Sequence, residues 1–182
     1  MFNTARTRQF AALATLCLLP AAASAADYNY VEGGFLFRHD YGSESGGGRV
    51  AGSFDLPALP LAIIAEYDGT DNLNQFDVGA IFHVPVAPML DVFGGGTLEH
   101  VDNYGSADTG IGLRGGVRWQ AARGFELSPE FRYVHVYHTD QASARLNALV
   151  SIAPRLDLQG AMQVGDDQRY ELGLRYNFGA PL

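Results

Sequence analysis

The 182-residue chain contains no lysine; its 12 basic residues are all arginine, set against 20 aspartates and glutamates. An ordinary soluble surface uses both cations, and a genome's composition preference or a physical demand on the side chain would each produce this bias. Cysteine is nearly absent as well. Cys17 stands alone within the first 25 residues, and Leu16 before it is larger than a lipid-anchoring signal takes there. The rest of the chain can form no disulfide, so it must hold together by backbone pairing and packing. Long apolar runs are missing too: residues 10–23 are too few and too alanine-rich to span a bilayer. Nothing later approaches the roughly 20 apolar residues a membrane helix needs, so any membrane crossing must be made by strands.

The first residues have their own pattern. Arg6 and Arg8 precede the apolar stretch 10–23, and the small residues Ala23-Ser24-Ala25 follow it. This is the layout of an export signal, residues 1–25, with cleavage expected near Ala25 or Ala26. Residues 26–182 are then one domain. Losing Arg6 and Arg8 takes the formal net charge from −8 to −10, which excludes nucleic acid as a partner.

From Asp27 to Phe178 no window has helical periodicity, but about ten segments alternate apolar and polar residues with period two, the mark of a half-buried strand. The last is the clearest. Tyr170, Leu172, Leu174, Tyr176 and Phe178 share one face, and Arg169, Glu171, Arg175 and Asn177 the other. Residues 155–164 and 141–152 repeat it, and four segments upstream, around residues 49–56, 61–68, 75–84 and 111–120, also keep charge off one face. Three are less regular: residues 27–38 carry Gly33-Gly34, read as a bulge, residues 89–101 contain three consecutive glycines, and residues 125–138 place Pro129 on the apolar face.

The connections alternate in chemistry. Residues 40–48, 68–74, 102–109, 139–141 and 165–167 are acidic or glycine-rich, whereas those around 57–60, 85–88, 121–124 and 153–154 are short and mostly contain proline. The predicted fold is therefore all-β: an up-and-down antiparallel transmembrane β-barrel of ten strands, or eight if residues 33–38 or 94–101 fail to pair. The acidic connections face outward and the proline turns face the compartment holding both termini.

Period two alone does not say which face meets solvent, and a soluble barrel has the same alternation. Two features favour the inside-out arrangement. An all-strand meander closes its hydrogen-bond ladder without helices. Aromatic residues also gather near the strand ends, as interfacial girdles require: Phe37, Tyr67, Phe76, Tyr137 and Tyr170 at one rim, and Tyr28, Phe54, Phe82, Trp119, Phe125, Tyr176 and Phe178 at the other. Tyr170, Leu172, Leu174, Tyr176 and Phe178 resemble the terminal assembly signal of outer-membrane barrels, with Gly179 to Leu182 as an unusual extension. The mature N-terminus, Tyr28-Asn29-Tyr30-Val31-Glu32-Gly33-Gly34, resembles that of a family of small, poorly characterised outer-membrane barrels, and the architecture resembles the OmpA/OmpX class. These resemblances imply an outer-membrane location, contact with lipopolysaccharide, and assembly machinery that reads the last strand.

With the apolar face on lipid, the lumen receives Arg49, Arg114, Arg118, Arg132, Arg145, Arg155, Arg169 and Arg175. It also receives Glu32, Asp55, Glu66, Asp77, Asp91, Glu99, Glu126, Glu130, Asp157 and Glu171. Side chains can largely fill so small a barrel, and the arginine fork matches a carboxylate at two points. A plugged, salt-bridged interior is expected, with a narrow polar pore as the alternative.

Catalytic and ligand motifs are weak. Residues 110–115, Gly-Ile-Gly-Leu-Arg-Gly, fit a dinucleotide fingerprint literally but lie within a strand; their glycines relieve crowding instead. His135 and His138, three apart in a strand, point to opposite faces, so no metal site is expected there. Phe131-Arg132-Tyr133-Val134-His135 resembles the surroundings of the catalytic histidine in PagL lipid A deacylases, but Tyr137 stands where those enzymes have their serine. Without that nucleophile, ester hydrolysis lacks its attacking oxygen. Residues 68–72 begin like a calcium loop, but Gly79 occupies the position of the distal glutamate. No cofactor is expected, and the reading is a non-enzymatic barrel with a structural or surface-interaction role.

Overall fold

Period-two alternation puts every second side chain on the same face. In the computed structural model, which describes residues 26–40, 43–71 and 73–179, this produces ten strands. They are β1 (Tyr30–Asp40), β2 (Ser43–Asp55), β3 (Leu61–Thr70), β4 (Leu73–Ala87), β5 (Leu90–Asn103), β6 (Ser106–Ala122), β7 (Phe125–Val136), β8 (Thr139–Ala153), β9 (Leu156–Gly165) and β10 (Gln168–Asn177). Each pairs antiparallel with the next, and β1 pairs with β10, closing the barrel. The two segments on which eight strands depended both pair on either side, residues 33–38 with β2 and β10 and residues 94–101 with β4 and β6. The export signal, Cys17, Asn72 and residues 180–182 lie outside the described residues.

The barrel is apolar outside and charged inside. Phe35, Leu98, Leu113 and Leu172 are among the large apolar side chains that stand exposed on its outer wall, whereas Arg169 is fully buried in its interior. The shortest strands, β3, β9 and β10, have 10 residues each. At about 3.3 Å per residue and a tilt of about 40°, that is roughly 25 Å of height, matching the apolar band of an outer-membrane barrel.

The hairpins opposite the termini are tighter than the sequence implied. Residues 40–48 are not a long loop: β2 begins at Ser43, and Gly46 to Gly48 pair with Phe37 to Phe35 of β1. Residues 102–109 likewise reduce to Tyr104-Gly105, both at positive φ, as a type I′ turn requires. Tyr137-His138 forms the same turn. Glycine and short polar residues on these stretches resemble loop composition, but a sheet edge that is already paired draws them into the ladder.

At the terminal end, Pro88-Met89, Arg123-Gly124 and Pro154-Arg155 make two-residue turns. Pro85 belongs to β4, where the register shifts between it and Ala87. Pro129 sits where the β6–β7 ladder skips from Gly116–Glu130 to Trp119–Leu127, so its missing N–H costs little. The expected bulge at Gly33-Gly34 is absent, because the register with β10 runs unbroken through Gly33–Leu174 and Gly34–Gly173. A Cβ on Gly34 would lie 2.3 Å from the Leu172 carbonyl oxygen, so glycine here permits close approach at the closing seam.

Candidate functional site in the barrel interior

Buried charge requires partners, and the inward residues supply them to one another across the lumen. Glu66 on β3 is the hub. Arg49 donates to it at 2.9 Å and Arg132 donates to both its oxygens at 3.3 Å, while Arg169 and Arg114 stand at 3.6 and 3.8 Å. Arg49 also donates to Glu32 at 2.5 Å, and Arg175 meets the other Glu32 oxygen at 2.7 Å. Arg145 grips Glu171 at two points, Arg118 does the same to Glu126, and Arg169 bonds Asp68. Asp77 accepts from Arg114 at 2.8 Å and from Arg132 at 3.4 Å. The side chains come from strands far apart in sequence, so the network ties opposite walls of the barrel together.

At the end opposite the termini, Arg38 donates to Gln75 and Asp167, and Gln163 donates to Asp167 at 2.7 Å. Burial alone would raise the Asp167 carboxyl, but the Arg169 and Arg38 guanidinium groups beside it hold it below the ordinary carboxylate range.

The terminal end is built differently. Among the inward positions there, Ala62, Ile64, Ile81 and Phe93 form an apolar patch with Ala26 and Tyr28 of the segment preceding β1, beside the buried Asp91, Arg118 and Glu126. That segment turns into the barrel. Tyr28 stacks on His83 with ring centroids 3.9 Å apart, beneath the Arg118 guanidinium at 4.6 Å. His83 Nε2 lies 3.0 Å from Asp55. A cavity of about 70 Å³ remains between the apolar layer and the ionic network.

Of the residues assigned to the lumen, Arg49, Glu66, Asp77, Asp91, Glu99, Arg118, Glu126, Arg132, Arg145, Asp157, Arg169, Glu171 and Arg175 are buried. Arg114 and Glu130 join the network with slight exposure. Asp55 stands at the rim on His83. Arg155 is a correction: it occupies an exposed turn at positive φ, because β8 and β9 stop at Ala153 and Leu156. Arg38, Asp68 and Asp167 were missed, although Arg38 and Asp68 continue the inward parity of Glu32 and Glu66.

Among the aromatics, Phe54, Tyr67, Phe76, Trp119, Tyr170, Tyr176 and Phe178 are exposed on the outer wall and Phe82 is half-buried. Tyr28 is a second correction: it is 2% exposed and lies inside the lumen. It is four residues from inward-facing Glu32, and so on the same face. Tyr137 lies in a turn with its hydroxyl donated to the Val101 and Ser106 carbonyls, so it braces a neighbouring hairpin. On the outer wall, His135 Nδ1 and the Tyr133 hydroxyl each lie 2.6 Å from Asp140. Gly112 of the dinucleotide-like stretch leaves room for Glu99, whose carboxylate a Cβ would meet at 2.3 Å. No cluster of potential metal ligands occurs among the described residues.

No protein-family model matches the chain, and no curated protein matches it either. Solved structures do. The KdgM porin superposes with a TM-score of 0.52 at 12% identity, over 82% of this chain and 99% of that one. The NanC porin gives 0.52 at 10% identity, over 82% and 100%. The fold is that of outer-membrane porins. A KdgM porin in complex with disordered oligogalacturonate is similar to the same degree, with a TM-score of 0.51 at 12% identity over 85% of this chain and all of that one.

Proposed function

We propose that the chain is exported, processed near Ala25 or Ala26, and folded into the outer membrane as a closed barrel with a structural or surface-facing role and no catalysis. Lipid and lipopolysaccharide are its surroundings there, and the assembly machinery reads its last strand from Tyr170 to Phe178. The observation carrying this reading is the interior lattice centred on Glu66, in which arginines from separate strands share carboxylates across the axis. Side chains so tied leave space for a few waters rather than for a column of solute. The Tyr137 hydroxyl is held by backbone carbonyls, which argues against its standing in for the serine of a PagL-like hydrolase.

A second reading, a narrow pore, is favoured by the cavity beside the lattice and by the fold shared with porins. Among the described residues nine carboxylates are buried against seven arginines, so such a pore would prefer cations and disfavour a polyanion such as oligogalacturonate. Planar-bilayer recording on the purified protein separates the two. The closed barrel gives no stable conductance steps. Discrete, cation-selective steps would establish the pore instead.

A further inference from the structure

We propose that the barrel's terminal mouth contains a binding site for an α-ammonium group, the one that export processing creates on Ala26, and that the seated N-terminal segment stoppers the lumen. The proposal rests on the processing proposed above near Ala25 or Ala26, taken at the Ala25–Ala26 bond.

Ala26 and Tyr28 are buried to 3% and 2% exposure, as deeply as the inward residues of the strands. A leading segment with no strand to join would ordinarily stay in solvent. Here the barrel receives it. Among the inward positions at this end, Ile64, Ile81 and Phe93 form an apolar patch that packs on Ala26 and Tyr28, next to the buried charges of Asp91 and Arg118. Arg118 donates to the Asp27 carbonyl at 2.6 Å while covering the Tyr28 ring, so a single guanidinium holds both backbone and side chain.

The Ala26 nitrogen itself points to the ligand. It lies 3.3 Å from Oδ2 of Asp91, a carboxylate with no solvent exposure. Before processing that nitrogen is a neutral amide. Hydrolysis of the Ala25–Ala26 bond consumes one water, leaving a carboxylate on the departing peptide and an ammonium on Ala26. The same atom then presents a full positive charge and further donors to a buried anion, and the contact becomes a charge-assisted pair. Cleavage would therefore strengthen the latch, coupling removal of the signal to closure of the mouth.

The missing lysines make the test clean, because the α-amino group is the sole primary amine of the processed chain. Processed protein is purified from membranes in detergent, its intact mass measured, and the amine acylated with an N-hydroxysuccinimide ester. The folded protein should react at least about tenfold more slowly than the unfolded chain, since reaction requires the segment to leave its seat. Asp91→Asn and Tyr28→Ala, checked for retained heat-modifiable migration, should each return the rate to within about threefold of the unfolded chain. An equally fast reaction in folded wild type, or protection that survives both substitutions, overturns the site. So does a mass placing the mature start elsewhere than Ala26, with the barrel reading untouched. Wild type lacking heat-modifiable migration would instead refute the barrel, and the site with it.

Discussion

Glu66 shows what a single side chain does inside this barrel. Its two oxygens serve Arg49 and Arg132 directly, with Arg114 and Arg169 close by. A buried ion pair adds little net stability over a well-packed apolar pair, but removing one partner strands the other's charge in a low dielectric. Glu66→Ala should therefore destabilise the barrel by roughly 3–5 kcal/mol, whereas Arg155→Ala in its exposed turn should change stability by less than about 0.5 kcal/mol. Urea unfolding followed by fluorescence of Trp119, the one tryptophan, measures both. A Glu66→Ala cost below about 1 kcal/mol would mean that water already solvates these arginines, as in an open pore. Most of this network was legible from parity alone, since a charge at every second position of a strand must share its neighbours' face. Asp68 and Asp167 escaped because they sit where polar composition suggested loops, and Arg38 because it ends the segment 27–38, whose alternation is less regular. Which arginine meets which carboxylate depends on the stagger between distant strands, and alternation within one strand carries no trace of it.

At the scale of elements, the decisive feature is the seam between first and last strands. Sequence neighbours pair through short hairpins at small entropic cost, but β1 and β10 must find each other across the whole chain. Gly34 and Gly173 face each other there, and a Cβ on either would run into the opposite backbone. Gly34→Val should block closure, abolishing the heat-resistant folded band on a gel, while Gly46→Val, where a Cβ meets nothing, should leave it intact. A normal folded band for Gly34→Val would show that the seam has slack. Gly33-Gly34 was visible in the sequence as an interruption, and its role was misjudged for a physical reason. A bulge and a close approach both call for glycine, and only the partner strand tells them apart. Turn positions suffered similarly: two-residue hairpins at Tyr104-Gly105 and Tyr137-His138 need positive φ, which tyrosine and histidine seldom advertise.

For the whole molecule, the question is what the outer wall touches. Of the large apolar side chains exposed among the described residues, 26 lie on the strands, too many for a wall facing water, where contiguous apolar patches rarely exceed a few hundred Å². Closing the sheet leaves no edge strand, so the wall pairs its backbone groups within the ladder rather than with solvent, interrupted beside Pro129 and at the register shifts. The medium that fits both facts is hydrocarbon. Leu172 lies midway along β10 with more than half of its surface exposed, so a substitution there probes the medium directly. On a water-soluble protein, Leu172→Arg would be nearly neutral or favourable. In a bilayer it should cost about 2–4 kcal/mol, whereas the same change at Tyr176, near the strand end, should cost no more than about 1 kcal/mol. Refolding equilibria in lipid vesicles measure the two substitutions side by side. The depth dependence is the discriminating quantity, because loss of packing alone has no reason to follow distance from the midplane, and equal small effects at both positions would place water, not acyl chains, against this wall.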